Sequence, residues 1–353
     1  MSDRKGFALH RASRRALAAL AALAMTLLGA AAHAGGVVTV YSADGLRDGQ
    51  PNWFDAMFAQ FTRRSGIRVQ YVEAGSGVIA NRVLAERAAP QADVLVTLPP
   101  FMQRVAAAGA LAPAPLTADL RKALGAAAGV GPWLPLAEDY SGWIYDARAL
   151  PAPPASYAAL LSPALRNRLQ YSTPGQAGDG TAVMLLAFHT FGGRDGGFDY
   201  LRRLQANDLG PSASTGRLTA LVDKGEIWIA NGDMQMFYAQ SRANPNVRFF
   251  VPAAADGRRY SMALPYQIAL VAGAPHAAAG RALIAFLLER QAQQRLYDLA
   301  GSFPARNDVP AAGPAAAALK RMLAGVEIWT PDWNAVAREL NADVERWHRI
   351  TGN

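Results

Sequence analysis

The chain has 353 residues, 35 Lys plus Arg against 27 Asp plus Glu, and no cysteine, so no disulfide supports it and its stability has to come from a large core. Residues 1–34 hold five of the basic residues and one acidic residue; without them the balance is 30 against 26, a net charge of +4. With no block of like charges and no basic stripe interleaved with aromatics, nucleic-acid binding is disfavoured.

In chain order, Arg4, Lys5, Arg11, Arg14 and Arg15 precede an apolar run from Ala16 to Ala32, and Ala32-His33-Ala34 offers small residues at both cleavage positions. This predicts a secretory signal peptide over 1–34, with a mature chain beginning near Gly35. The Arg14-Arg15 pair leaves general and twin-arginine export both open. The 319 residues that remain suffice for two domains, because single cores stop growing near ~250–300 residues.

The run VVTVY (37–41) predicts a strand, and Trp53, Phe54, Met57, Phe58 and Phe61 recur at helical spacing. IRVQYV then reads as a strand, the stretch after Gly77 as a helix, and ADVLVTL as a buried strand. Strand, helix, strand, helix, strand predicts parallel strands with right-handed crossovers. Ligands in such sheets sit beyond the carboxyl ends of the strands, which here means residues 42–45, 75–78 and 97–100. A second unit begins near Leu136: YSGWIYD and LQYSTP as strands, helices opening at Thr181 and near Thr215, and IWIANGD as a strand ending at Asp233. The chain returns through the apolar strand in ALPYQIALVAGAPH to an amphipathic helix over 278–300. The predicted fold is α/β and two-lobed, each lobe a mostly parallel sheet flanked by helices. Its lobes are 35–136 with 265–353, and the inserted 137–264, with a ligand cleft at a two-crossing hinge.

Gly75-Ser76-Gly77 stands where a strand hands over to a helix. No Gly-Lys-Ser/Thr ending follows, which disfavours a nucleoside triphosphate. Glycines let backbone approach a ligand closely, and the first N–H groups of a helix suit a phosphate or phosphonate oxygen; the alternative is a plain helix cap. Asp179-Gly180-Thr181 and Ser214-Thr215-Gly216 repeat the device, so three helix starts can converge on one anion. Catalytic constellations are missing: beyond the leader only His189, His276 and His348 occur, with no paired metal spacing and no Gly-x-Ser-x-Gly elbow. His189, on an apolar helix face, reads as a core histidine. No cofactor and no metal are expected.

VVTVYSADGL, YVEAGSGVIANRV, PQADVLVTLPPFMQR and LPYQIALVAGAPH resemble the periplasmic solute-binding components of 2-aminoethylphosphonate ABC transporters, over nearly the whole mature chain. The resemblance implies a type II periplasmic-binding fold that closes on its ligand and hands it to an inner-membrane permease, acting as a monomer without catalysis. The wider group includes ferric-ion binders with two adjacent tyrosines; the matching stretch here, GEIWIANGDMQMFYAQ, places Gln235 and Met236 there, so that iron pair is absent. Ser42, Ser76, Gly77, Thr97, Thr181 and Thr215 are assigned to the phosphonate, and Glu138 and Asp233 to the amine. Tyr140 and Tyr266 are candidates for cation–π packing on the ammonium. Asp139 stands as a second carboxylate near the hinge, while Asp44 and Asp179 read as turn or cap residues. A polyamine, another small organic ion or a phosphate ester remains an alternative ligand, and a secreted phospho- or phosphono-ester hydrolase an alternative class.

Overall fold

The computed structural model describes residues 36–352, so the predicted signal peptide and its cleavage point lie outside the described residues. Strands β1 (Val37–Ala43), β2 (Arg68–Ala74), β3 (Val94–Thr97), β4 (Leu134–Glu138), β10 (Tyr266–Leu270) and β11 (Phe303–Pro304) form a six-stranded sheet in the order β11-β4-β10-β3-β1-β2. Between them in sequence, β5 (Ser141–Asp146), β6 (Leu169–Gln170), β7 (Ile229–Asp233) and β8 (Val247–Phe250) form a four-stranded sheet in the order β6-β7-β5-β8. A short third sheet pairs β9 (Tyr260–Met262) with β12 (Glu327–Trp329) in parallel.

Thirteen α-helices accompany these strands among the described residues: α1 (Trp53–Ser65), α2 (Ser76–Ala85), α3 (Phe101–Ala107), α4 (Ala118–Leu124), α5 (Gly178–Thr190), α6 (Arg194–Leu204), α7 (Thr215–Lys224), α8 (Met234–Ser241), α9 (Ala277–Leu287), α10 (Arg290–Gln294), α11 (Leu296–Leu299), α12 (Gly313–Met322) and α13 (Trp333–Thr351). Helix α1 shows the local logic. Asn52 caps it by accepting from the Asp55 N–H, Gly66 ends it in the left-handed conformation, and Trp53, Phe54, Met57, Phe58 and Phe61 line its buried face.

The strands β1, β2 and β3 are parallel, as expected. β10 runs antiparallel to both β3 and β4, and β11 antiparallel to β4, so the larger sheet is mixed rather than mostly parallel. The connectivity explains the correction. β3 and β4 both run toward the second sheet, β4 delivers the chain into it, and β10 brings the chain back in the opposite direction. In the smaller sheet β5 is antiparallel to β7 and β8, and only β6 and β7 are parallel.

Three further boundaries differ from the sequence expectation. The helix expected at Thr181 opens at Gly178, with Ala177 as its cap residue. LQYSTP contributes only Leu169 and Gln170 to a strand. The stretch over 278–300 is three helices, because Glu289 is extended and interrupts the ladder between α9 and α10. The buried Gln293 then uses its amide to donate to the carbonyls of Leu136 and Leu287; the apolar period continues across the break, so periodicity alone does not show it.

The two large sheets face one another through backbone. Gly77 N–H donates to the Gln176 carbonyl at 2.8 Å, and a Cβ added at Gly77 would lie 2.0 Å from the Gly175 carbonyl oxygen. Only glycine permits this approach. Helix α13 spans the same seam. It packs on α3 of the larger lobe and α6 of the smaller. Trp347 Nε1 donates to the Tyr171 hydroxyl at 3.0 Å, and Arg194 bonds Asp343 and Glu339. Gly77→Ala is expected to prop the lobes apart without unfolding either: circular dichroism unchanged, and a larger radius of gyration in small-angle scattering than the parent. An equal radius would show that closure does not need this contact.

Candidate functional site

Three strand ends and one helix start at the seam each deliver a carboxyl group. Asp44 follows β1, Asp139 follows β4 at the first crossing, Asp233 ends β7, and Asp179 sits in the first turn of α5; all four are buried. Asp48, in the glycine-containing turn after Asp44, buries its Oδ2 although the residue is partly exposed. Gly45 allows the turn, having φ +121 and no room for a Cβ, which would lie 2.2 Å from the Tyr266 hydroxyl.

The partners of these acids are hydroxyls and backbone N–H groups. Asp44 Oδ2 accepts from Ser214 Oγ at 2.8 Å and from Gly216 N–H at 3.3 Å, so a carboxylate of one lobe caps helix α7 of the other. Asp139 Oδ1 accepts from Tyr140 N–H and Asp233 Oδ1 from Met236 N–H, at 2.8 and 2.7 Å. One oxygen each of Asp48, Asp139, Asp179 and Asp233 has no donor, and Ser76 Oγ and Gln235 Nε2 are buried without a partner. Buried polar atoms are normally satisfied, so this concentration of open ones marks the candidate site.

Burial pushes the carboxyls of Asp48, Asp139, Asp179 and Asp233 well above the ordinary carboxylate range. Mutual repulsion adds to it: Asp44 on Asp48, Asp233 and Asp44 on Asp179, Asp139 on Asp233. Asp44 is also raised by burial, with Ser214 and Gly216 pulling the other way. Glu73, nearer the rim, is raised by burial while the Tyr71 hydroxyl and Arg47 pull it down.

The residues expected from the sequence divide by what their polar atoms already do. Ser76 and Asp233 each bury one atom that has no partner. Gly77 has its N–H on Gln176, and Thr97 donates its hydroxyl to the Ser76 carbonyl, holding the start of α2. Ser42 donates to the Ala43 carbonyl. Thr181 donates to the Ala177 carbonyl and accepts from Gly175 N–H, fixing the turn before α5. Thr215 shares a 2.9 Å hydrogen bond with Ser172 and lies beside Asp179. Tyr266 donates to the Asp44 carbonyl at 2.7 Å, next to the acids. Glu138 stands on the edge pair with Phe303, and the Tyr140 ring meets Phe303 edge-on at 5.6 Å. His189 is exposed and not the core histidine expected, its ring stacked on Trp329 with centroids 4.4 Å apart.

Four site residues carried weaker signals. Asp44 and Asp48 sit in one short loop after a buried strand, Asp179 lies in the first turn of an apolar helix, and Gln235 stands two residues after Asp233; for the three acids, flanking core sequence is the available clue. Among the described residues, no group of three or more His, Cys, Asp or Glu side chains is arranged to hold a metal ion, and no helix is long and apolar enough to cross a membrane.

Residues 56–322 match the family model for bacterial extracellular solute-binding proteins. A Salmonella typhimurium protein named as a candidate 2-aminoethylphosphonate-binding periplasmic protein is 50% identical over 339 residues, covering 96% of this chain and 98% of the relative. Among solved structures, the periplasmic binding protein P5PA superposes with a TM-score of 0.77 at 18% identity, covering 90% of this chain and 99% of that one. AfuA from Actinobacillus pleuropneumoniae, solved with fructose-6-phosphate, gives a TM-score of 0.73 at 15% identity with the same coverages. The fold is therefore the type II periplasmic-binding fold.

Burial alone raises the Glu138 carboxyl to about 7 from an ordinary 4.5. A raised carboxyl stabilises the fold fully below its unfolded value and loses that contribution as pH climbs through the folded value. Glu138→Gln is expected to leave stability unchanged near pH 4 and to raise it at pH 8 by up to about 3 kcal/mol. Thermal melts of both proteins at the two pH values check this; a pH-independent difference would contradict it.

Proposed function

The chain belongs to the bacterial extracellular solute-binding protein family, and on that premise we propose that its cleft binds 2-aminoethylphosphonate in the periplasm and delivers it to the permease of an ABC importer. The observation that carries this reading is the mixed character of the open buried atoms. Carboxylate oxygens of Asp48, Asp139, Asp179 and Asp233 want a cation, and Ser76 Oγ and Gln235 Nε2 are free to serve an anion. A zwitterion answers both demands; a polyamine answers only the first. The relative that shares half its residues with this chain supports the same ligand.

The phosphonate lies at the starts of α2 and α7. Ser76 supplies a hydroxyl, and Thr215 and Gly216 supply the helix end on which Asp44 now sits as an anionic stand-in. Ser42, Gly77, Thr97 and Thr181 shape that end through their backbone and turn hydrogen bonds. The ammonium lies among Asp233, Asp179 and Asp139, with Tyr266 beside it and Glu138 toward the rim. Residues 137–264 move as one lobe against 35–136 with 265–353, and ligand contacts available only in the closed form draw the two together. The protein works as a monomer that holds its ligand intact, which phosphorus NMR of a saturated sample checks: any turnover product would favour the hydrolase alternative.

Titration calorimetry against 2-aminoethylphosphonate, ethylphosphonate, phosphate and a polyamine tests the ligand. Asp233→Asn keeps the acceptor that caps α8 and removes the charge. It is expected to cost roughly 2 to 5 kcal/mol for the amine-bearing ligand, about 30-fold to several thousand-fold in affinity, and much less for ethylphosphonate. Equal losses for both ligands would mean that Asp233 does not read the amine.

A further inference from the structure

Asp139 and Asp233 are held on adjoining strands where the chain crosses between lobes. Ser141 pairs with Asp233 across β5 and β7, and the Asp139 carbonyl accepts from Leu264 N–H at 2.8 Å, which ties the outgoing crossing to the returning one. Each carboxyl spends one oxygen on a backbone N–H; the second oxygen of each is buried and without a donor. Met234 N–H donates to the Tyr140 carbonyl at 3.1 Å, which continues the pairing of Ser141 with Asp233 and sets Asp139 and Asp233 diagonally across it, and each carboxyl acts on the other. Two carboxylate oxygens this close, out of water, repel unless a proton lies between them.

The surrounding groups provide no cation to take that role. The groups that act on the pair are Asp179 from α5, Asp48 from the loop after β1, the phenols of Tyr140 and of Tyr266 from β10, and the backbone N–H groups of Gln235 and Met236 from α8. Gln235 Nε2 and Ser76 Oγ are likewise buried and unpartnered.

We infer that Asp139 and Asp233 share one proton in the empty cleft and that the ammonium of the ligand takes its place, so that binding releases one proton to solvent. The O–H bond of the pair breaks, the proton leaves on buffer, and the ligand keeps its own three N–H bonds. This rests on the ligand assignment proposed above and adds to it a second amine-reading residue, Asp139, placed at the hinge.

The test is calorimetry of the wild-type protein with 2-aminoethylphosphonate in PIPES, HEPES and Tris at one pH, with ethylphosphonate as the reference that carries the same phosphonate and no amine. The slope of observed enthalpy against buffer ionisation enthalpy counts protons. The expected result is one more proton released for the amine-bearing ligand than for the reference, with the difference lost in Asp139→Asn. Equal slopes for the two ligands in the wild-type protein would overturn the shared proton while leaving the ligand assignment standing. Failure of 2-aminoethylphosphonate to bind at all would overturn the ligand assignment and this inference with it. If Asp139→Asn does not fold, the two-ligand comparison in the wild-type protein decides alone.

Discussion

Carboxyl groups taken out of water without cations are the constraint around which this molecule is arranged. Five of them gather where the strands of two sheets end, and the hydrogen bonds they receive come from hydroxyls and backbone amides. An ionised group in such a place is expensive unless something charged arrives. The fold tolerates the cluster because its surroundings are rigid and large: apolar strands behind it, helices on the far faces, and a continuous core that includes β1, β3, β4 and β10. The seam therefore carries a demand for positive charge where the two lobes meet.

Helix starts and glycines follow from the same requirement. An acid cluster that faces another lobe needs donors supplied without full positive charge, since a buried lysine or arginine would satisfy the acids permanently. Helix N-termini supply partial charge and fixed geometry. The Asp44 carboxylate on the start of α7 shows how one lobe completes the hydrogen bonding of the other. Gly75 and Gly77 let the backbones come near enough for this, their absent side chains leaving room for carbonyls of Ala213 and Gly175.

Much of this was legible in the sequence. β-branched runs and helical periodicity place β1 to β3 with their helices, and the repeated glycine-hydroxyl device at 75–77, 179–181 and 214–216 marks three segments that the fold does bring to one seam. The partners of those segments were not legible. Thr181 and Thr97 spend their hydroxyls on carbonyls 4 and 21 residues away, a matter of rotamer choice, and Asp44 reaches Ser214, 170 residues further along the chain. The antiparallel β10 was hidden for a related reason: a buried strand reads the same in either direction, and only the path of the chain through the second lobe fixes which way it returns.

Helix α13 gives the seam a property that two crossing strands alone would lack. Val344 lies against Gly175, whose carbonyl abuts Gly77, so the helix runs beside the place where the lobes touch. Toward the smaller lobe it is held by directional contacts, from Arg194 to Asp343, Arg346 to Asp195 and Trp347 to Tyr171. Its buried Val336, Leu340 and Trp347 join the apolar core that also contains Phe101 and Met102 of α3, on which the helix packs. Separation of the lobes thus has to slide or peel a greasy interface whose grip has no preferred direction and strengthens with warming from the cold. If the lobes part to release a solute, its dwell time depends partly on a helix outside the acid cluster, and temperature becomes a lever on escape independent of how well the cleft fits its guest.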